Sequence, residues 1–432
     1  MTKKVVNVAL LGTGTVGTGV IEVLKNNSSD ITQKVGLEIK LKSILVRNPD
    51  KAAELKDDYN VTNDFNTILA DDEIDVVIEL IGREHPAKEY IAEALKHKKS
   101  VVTANKDVIA KYGHELLELA DLNGVDLLFE ASVGGGIPII RPLKASLAAN
   151  KISSIMGIVN GTTNFMLTKM TNDNLDFDTV LKEAQEMGYA ESDPTADIGG
   201  LDAARKLAIL ASIAFNARTS LEDINVEGIE KLQLRDVQYA KELGYIIKLL
   251  AIGKFDEKIG ANLSVRPTML PKEHPLANVN DVFNAIFVTG DAVGETMFLG
   301  RGAGGLPTAS AICADLIDIA RNIRFNSKGR ISCTCFKEKK IASEKDIMAP
   351  CYIRLLVEDK TGVLGGIATA FGAHNVSLKN VVQKVTSGEF SELVLITYAV
   401  SDYNLKLAIN TLNSLPIVHE VCSIIRVEDN NL

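Results

Sequence analysis

The sequence contains no apolar run long enough to cross a lipid bilayer. A membrane-spanning helix needs about 20 predominantly apolar residues, and the aliphatic stretches of the 432-residue chain are much shorter. An excess of basic residues is also missing, because 47 Lys and Arg stand against 56 Asp and Glu, for a net charge of −9. This balance argues against a nucleic-acid or anionic-membrane partner. We therefore expect a cytoplasmic protein of ordinary globular composition.

Cysteine is scarce and confined to one end of the chain. The five cysteines are Cys313, Cys333, Cys335, Cys351 and Cys422. No histidine or second cysteine pair stands near Cys333 and Cys335 in the sequence to complete a zinc site. Free thiols in a reducing compartment are therefore expected.

The amino-terminal segment has the pattern of a strand, a glycine-rich turn and a helix. The aliphatic run Val5–Leu11 predicts a strand, and helical periodicity follows over residues 16–25. Between them the chain reads Gly12, Thr13, Gly14, Thr15, Val16 and Gly17. Such a turn lets the pyrophosphate of a dinucleotide approach the helix N-terminus, where free N–H groups attract anions. A purely structural turn is the alternative reading.

Strands and helices then alternate to about residue 130. Further strands are predicted at Leu37–Val46, Ile74–Ile81, Ser100–Thr103 and Val125–Glu130, and helices at Pro86–Lys96 and Lys106–Leu122. This order is typical of an α/β, doubly wound parallel sheet of the Rossmann type, in which ligands bind beyond the carboxyl ends of the strands. We expect these groups at that edge: Gly12, Gly82, Thr103, Asn105, Lys106 and Glu130–Gly136.

The end of the second predicted strand lacks the acid that would bind the 2′-hydroxyl of the NAD ribose. Arg47 occupies this region instead, and an arginine suits a 2′-phosphate. We therefore predict NADP as the preferred cofactor, with NAD possible. Lys106 opens a predicted helix, where its charge opposes the dipole. A functional role and a solvated lysine at a helix start both fit this position.

The segment Gly188–Lys206 gathers carboxylates beside one lysine. Glu191, Asp193, Asp197 and Asp202 are close in sequence, and Lys206 follows Asp202 by one helical turn. An exposed ion pair would explain this last spacing alone. The number of acids, on a loop shaped by glycine and proline, favours a pocket for a polar substrate.

From Ile152 the pattern changes to a mixed α+β domain. Asn160–Asn164 is predicted as a turn and cap, and Gly300–Pro307, with Gly302, begins a long helix either beside a ligand or as a packing turn. From Tyr352 the order β-α-β-β-α-β indicates a ferredoxin-like domain. The predicted domains are 1–135 with a return helix at 306–325, 136–305, a linker at 326–349, and 350–432.

Together these motifs resemble homoserine dehydrogenases, in the longer bacterial form with a C-terminal ACT domain. The similarity extends from Val5 to about Val427 and is strongest in four segments: Gly188–Lys206, Thr103–Lys106, Glu130–Pro138 and Gly302–Pro307. It implies interconversion of L-homoserine and L-aspartate 4-semialdehyde with NAD(P), in threonine, methionine and isoleucine biosynthesis. It also implies a homodimer or homotetramer, and threonine as an allosteric ligand of the ACT domain near Asp359–Leu364 and Asn375–Leu378.

The resemblance assigns a role to each matching residue. Lys206 matches the proton donor, Lys106 a lysine near the nicotinamide and substrate, and Glu191 and Asp202 the acids that bind substrate. We add Asp197 to this substrate set and expect Asp202 to orient Lys206. Glu130, Val133, Gly135 and Ile137 match a loop of the family that binds a sodium ion, largely through backbone carbonyl groups.

Two other functions would fit parts of the pattern. A semialdehyde dehydrogenase that oxidises an aldehyde requires a nucleophilic cysteine. No cysteine precedes Cys313, which lies in a predicted helix. A non-catalytic sensor would bind NADP and an amino acid without turnover, and the set Glu191, Asp202 and Lys206 argues against it.

Overall fold

The structure of the chain is a computed structural model that describes residues 3–385 and 390–428. It divides into two compact units, each built from separate parts of the chain. The first contains Met1–Ile155, Arg205–Leu221 and Asn284–Glu338, and the second contains Met156–Ala204, Glu222–Phe283 and Lys339–Leu432. This division into two units does not test the predicted domain boundaries, which remain predictions. In the described part of the chain, no helix combines the length and apolar character needed to cross a bilayer.

A six-stranded parallel sheet forms the centre of the first unit, which confirms the predicted doubly wound fold. Its strands run in the order Asn60–Thr62, Glu38–Leu45, Val5–Leu11, Ile74–Glu79, Ser100–Thr103 and Leu127–Leu128. The central strands are aliphatic because both faces are covered, and Val8, Leu10 and Ile78 are fully buried. The prediction of a strand over Val125–Glu130 was too long. The observed strand is only Leu127–Leu128, and Glu130 belongs to the 3-10 turn Glu130–Ser132.

Helices pack around this sheet. They are Thr15–Asn26, Ser28–Val35, Phe65–Leu69, Ala87–Lys96, Lys106–Asn123 and Gly305–Phe325, with short helical turns at Pro49–Leu55 and Pro142–Ser146. The helix Gly305–Phe325 returns to the sheet late in the chain, and its buried Ile312, Leu316 and Ile319 belong to the same core as Leu10. The hairpin Phe283–Gly290 and Gly294–Arg301 precedes it.

The second unit begins with helices and continues as an extended sheet. Its helices are Gly161–Asp173, Phe177–Glu186, Thr195–Ile198, Leu234–Glu242, Val363–Ala373 and Asp402–Asn413, with 3-10 turns at Leu221–Asp223 and Pro275–Asn278. The helix Leu201–Ala214 starts in this unit, and the strand Ile152–Ile158 has its last three residues in it. The prediction of a turn and cap over Asn160–Asn164 was correct for the cap and wrong for the turn. Asn160 alone is the cap, and the helix begins at Gly161.

The ferredoxin-like domain is present, and its sheet continues into neighbouring strands. The order is Tyr245–Asp256, Gly260–Pro271, Val418–Val427, Cys351–Glu358, Phe390–Thr397 and Leu378–Val385, with short strands at Asn225–Val226, Met348–Ala349 and Val400–Ser401. Thr268 and Met269 pair in parallel with Arg426 and Val427. This junction was not predicted, because Pro267 and Pro271 argue against a strand in which both edges are paired.

A polar group of residues, here called the Asp236 cluster, connects the ferredoxin-like sheet to the helix Leu234–Glu242, and all of its members except the exposed Arg235 are buried. It consists of Arg235, Asp236, Tyr239, Tyr352, Arg354 and Glu392. Arg354 donates to Asp236 Oδ1 at 2.7 Å and to Glu392 Oε1 at 3.1 Å. Arg235 donates to Glu392 Oε2 at 2.8 Å. Two arginines therefore stand against two carboxylates, and the cluster neutralises its own charge.

Candidate active site

A cleft of about 450 Å³ opens at the carboxyl ends of the parallel strands. Gly12, Thr13, Gly14 and Arg47 are among the residues that line it. Gly12 has a φ of +100°, and a side chain there would approach the carbonyl oxygen of Leu80 to 2.9 Å. The turn therefore requires glycine at this position. Arg47 is exposed at the rim, where sequence reasoning placed the 2′-phosphate of NADP.

The other predicted cofactor residues lie around this turn or are explained by packing. Thr15 and Val16 form the first turn of the helix Thr15–Asn26, and Gly17 is buried within it. Gly82, with a φ of +73°, follows the strand Ile74–Glu79. Gly302 is packed against the side chain of Asn284, which leaves no room for a Cβ atom. A contact of Gly302 with the cofactor stays a prediction.

Glu79, a buried carboxylate that was not predicted from the sequence, connects two strand ends at the carboxyl edge of the sheet. Glu79 ends its strand fully buried, and accepts hydrogen bonds from Thr103 Oγ1 and Ile81 N, both at 2.7 Å. Burial raises the pKa of Glu79, although these donors oppose the shift. An acid at the end of an apolar strand was the available signal. Asn105 caps the helix Lys106–Asn123 by accepting from Val108 N at 3.2 Å, which places Lys106 in the first turn.

The predicted cation loop is held by its own acid. Glu130 is 4% exposed, and its carboxylate accepts from the backbone N–H groups of Ile139, Ile140 and Arg141 at 2.6, 2.8 and 2.7 Å. Val133, Gly135 and Ile137 are buried. Three of the roughly four acceptor positions of the Glu130 carboxylate are therefore used to shape the loop. Among the described residues, no group of three or more His, Cys, Asp or Glu side chains could hold a metal.

Two of the predicted substrate acids are brought together by residues outside the acidic segment. Asn160 Nδ2 donates to Asp197 Oδ1 at 2.8 Å and to Asp202 Oδ2 at 2.9 Å. Thr162 Oγ1 lies 3.2 Å from Asp197 Oδ2. We call these four residues the Asn160 cluster. Asp202 is 7% exposed, whereas Asp197 is partly accessible.

The remaining acids of the segment have different surroundings. Asp193 accepts from the N–H and hydroxyl of Thr195 at 3.1 and 2.6 Å, and these hydrogen bonds lower its pKa. This side chain therefore shapes the loop. The Glu191 side chain is exposed. Lys206 follows Asp202 by one turn in the helix Leu201–Ala214 and is half-buried.

Family models cover the chain in three consecutive parts. Residues 12–130 match the NAD-binding domain of homoserine dehydrogenase, residues 138–317 match homoserine dehydrogenase, and residues 352–417 match the ACT domain. The ferredoxin-like domain is therefore an ACT domain, as was predicted from the sequence.

Curated relatives and solved structures agree with these matches. Homoserine dehydrogenase of Bacillus subtilis is 43% identical over 431 residues, which covers 99% of each chain. That of Synechocystis is 44% identical over 98% of this chain and 99% of its own. The structure of a homoserine dehydrogenase from Thiobacillus denitrificans superposes with a TM-score of 0.94 at 42% identity, covering 99% of both chains.

A shorter solved structure matches a smaller part of the chain. It is a hyperthermophilic archaeal homoserine dehydrogenase in complex with NADPH, 30% identical, with a TM-score of 0.63. The match covers 73% of this chain and 97% of the archaeal one. The chain belongs to the homoserine dehydrogenase family and is a nicotinamide-dependent oxidoreductase.

Proposed function

We propose that Lys206 is the proton donor in the family's reaction, the nicotinamide-dependent interconversion of L-homoserine and L-aspartate 4-semialdehyde. The observation that supports this role most directly is the pairing of Asp197 and Asp202 on Asn160, because Asp202 precedes Lys206 by one helical turn. Two carboxylates form a site for a cationic group, and a lysine beside them supplies a proton and a positive charge.

The chemistry assigns a task to each residue. When bound, the nicotinamide cofactor supplies the hydride that reduces the aldehyde carbon. Lys206 donates a proton to the aldehyde oxygen as negative charge develops there, and removes it again in the oxidative direction. Asp202 orients the Lys206 ammonium group, and Glu191 and Asp197 provide negative charge for the substrate ammonium group.

The substitution Lys206→Ala tests the proton donor. Turnover of L-homoserine and NADP, followed at 340 nm, should fall by about 10²- to 10⁴-fold, the contribution typical of a positioned acid–base group. The thermal unfolding midpoint and NADP binding should stay near wild type. Lys182→Ala is the matched control, because Lys182 is an exposed lysine on the helix Phe177–Glu186. Near-wild-type turnover by Lys206→Ala would contradict the assignment.

We propose NADP as the preferred cofactor because of the cation at the rim of the cleft. Arg47 is exposed there, and a guanidinium binds phosphate through paired charge-assisted hydrogen bonds. The NADPH bound to the archaeal relative supports the same choice. A lower KM for NAD than for NADP would overturn this preference.

A sodium ion at the Glu130 loop is part of the proposal, and the residues present fit it. Hard cations prefer oxygen ligands, including backbone carbonyls, and the positive φ angles of Gly134 and Gly135, +71° and +53°, turn the backbone sharply within the buried loop. The carbonyl oxygens of Glu130, Val133, Gly135 and Ile137 would hold the ion. Thermal unfolding in sodium and in choline buffers tests this site, since bound sodium raises the midpoint.

The proposed oligomeric state, a homodimer, is supported by an exposed strand edge. The strand Gly294–Arg301 is an edge strand that carries Met297 and Leu299 at 40% and 55% exposure, and apolar side chains on a free edge are typical of a partner contact. We expect a homodimer through this edge, and sedimentation of a monomer alone would contradict it. A tetramer and a cytoplasmic location stay predictions.

Threonine is the proposed ligand of the ACT domain. Gly362, with a φ of +88°, precedes the helix Val363–Ala373 and follows Asp359 in the predicted loop. The first N–H groups of a helix suit a carboxylate such as that of an amino acid. Inhibition of turnover by L-threonine checks this proposal.

A further inference from the structure

The side chain of Asn160 uses its whole hydrogen-bonding capacity inside the candidate site. Its two amide protons go to Asp197 and Asp202, at 2.8 and 2.9 Å. Its oxygen accepts from the backbone N–H and the hydroxyl of Thr163, both at 2.9 Å. A primary amide has two donors and two acceptor positions, so all four are occupied. With 6% exposure, the side chain is held in one orientation.

Neighbouring Thr162 cannot replace Asn160 as the donor to both acids. Its single hydroxyl proton has two acceptors in reach, the carbonyl oxygen of Tyr189 at 2.6 Å and Asp197 Oδ2 at 3.2 Å. One proton serves one of them at a time, and the shorter contact is to Tyr189. Asn160 is therefore the residue whose protons bind Asp197 and Asp202 together.

Helix capping alone does not require an amide at this position. The cap of the helix Gly161–Asp173 needs only the side-chain oxygen that accepts from Thr163 N. Serine, threonine and aspartate cap helices about as well as asparagine does. The amide protons are additional, and both point to carboxylates that the substrate needs.

We propose that Asn160 is a positioning residue for catalysis: it holds Asp197 and Asp202 side by side, in the orientation in which they meet the substrate. The inference rests on the proposed function of those residues. Two adjacent carboxylates repel each other, and hydrogen bonds to both offset that repulsion. Because the bridging donor is neutral, it orders the two acids without adding a positive charge that would compete with a cationic substrate group.

Two substitutions separate the bridge from the cap. Asn160→Ser and Asn160→Asp both retain an oxygen that caps the helix, and neither supplies two N–H groups. We expect Asn160→Ser to lower kcat/KM for L-homoserine by about 10- to 100-fold, since hydrogen bonds to charged groups contribute about 1.5–3 kcal/mol. NADP binding and the unfolding midpoint should stay near wild type.

The pH dependence of Asn160→Asp gives a readout that a merely structural role would not change. The new carboxyl group would face two acids, Asp197 from the helix Thr195–Ile198 and Asp202 from the helix Leu201–Ala214. Repulsion raises the pKa of the new group, and its protonated form donates one hydrogen bond. The ratio of variant to wild-type kcat/KM should therefore increase as the pH falls from 8 to 6. A ratio that is constant with pH would overturn the inference.

Matched variants separate this inference from the proposed proton donor. Asp176→Ser alters the cap of the helix Phe177–Glu186, where Asp176 accepts from Thr179 N at 2.9 Å, and should leave kcat/KM unchanged. If Lys206→Ala is inactive and both Asn160 variants retain wild-type kcat/KM, the positioning role is wrong and the proton donor stands. If Lys206→Ala retains turnover while the Asn160 variants are impaired, the proton donor is wrong and Asn160 still orders the two acids.

Discussion

The second unit contains two largely buried polar clusters whose named donors differ in charge. In the Asp236 cluster, Arg354 and Arg235 stand directly against Asp236 and Glu392 at 2.7 to 3.1 Å. In the Asn160 cluster, the donor that bridges Asp197 and Asp202 is the Asn160 amide, which carries no charge. The first arrangement cancels its charges and fixes the ACT sheet on a helix. In the second, the bridging amide orders two acids without adding a positive charge beside them.

The comparison shows that burial of charged groups does not by itself identify an active site. Both clusters combine acids with hydrogen-bond donors, and both include fully or nearly fully buried carboxylates, Asp236 at 0% and Asp202 at 7% exposure. What differs is the charge of the donors. Arginine donors match the negative charge of a carboxylate, whereas an amide donor orders a carboxylate without matching its charge.

Removal of Arg354 should give the largest loss of stability. Arg354→Met leaves Asp236 and Glu392 buried without the guanidinium that neutralises them, and such a loss costs about 3–5 kcal/mol. Urea unfolding followed by circular dichroism measures the change. Lys360→Met is the control, since the Lys360 pair with Glu358 is exposed at the surface and its removal should stay within about 0.5 kcal/mol. Equal midpoints for the two variants would contradict the structural role of the Asp236 cluster.

Lys248 is the reverse case, a buried cation bound by neutral oxygens. Its ammonium group donates to Asn164 Oδ1 at 3.0 Å and to the carbonyl of Val279 at 2.6 Å. Burial lowers its pKa from 10.5 to about 8, and Asp281 opposes this shift. Between these two values the unfolded chain binds a proton that the folded chain lacks. The free energy of unfolding should therefore increase as the pH rises through this window.

The substitution Lys248→Met isolates this contribution. Between pH 7.5 and pH 10, the wild-type free energy of unfolding should gain about 2 kcal/mol relative to the variant, at about 1.4 kcal/mol for each unit of pKa difference. Urea titrations at both pH values measure it. Lys272→Met, which removes an exposed lysine of the same unit, should follow the wild-type pH dependence. A variant with the wild-type slope would show that Lys248 is not the titrating group.

Arg47 should give the smallest effect and the sharpest contrast with Arg354. It is an exposed arginine at the dinucleotide cleft, so Arg47→Ala should leave the thermal midpoint unchanged. The KM for NADP should rise by about tenfold, the order expected from one charge-assisted hydrogen bond of ~1.4 kcal/mol, and the KM for NAD should not change. Arg321→Ala, on the helix Gly305–Phe325, is the control. A similar rise for both cofactors would argue against recognition of a 2′-phosphate.

Much of the fold follows from local patterns in the sequence. The strands Val5–Leu11 and Ser100–Thr103 lie where aliphatic runs predicted them, because buried parallel strands leave a continuous apolar signal. The helix Ser28–Val35 was missed, since its short polar sequence has only Ile31 and Val35 buried. The strand Gly260–Pro271 was missed because its prolines argue against an interior position.

Within the candidate site, only residues that are close together in the sequence could be predicted as a group. Asp197 and Asp202 are close in sequence, so their grouping was visible. Asn160 lies 37 and 42 residues from them, and no local pattern predicts a hydrogen bond over that separation. Glu79 reaches Thr103 across 24 residues, between two neighbouring strands. Contacts of this kind depend on the tertiary fold.

The parallel pairing of Thr268 and Met269 with Arg426 and Val427 has a practical consequence for shortened versions of the chain. Deletion of the ACT domain would remove Arg426 and Val427 and leave Thr268 and Met269 without their ladder partners, whereas Ser264 and Val265 would keep their pairing with Asn225 and Val226. An uncovered strand edge is a template for aggregation. A catalytic fragment that ends before residue 350 therefore needs a charged substitution on that edge to remain dispersed during expression.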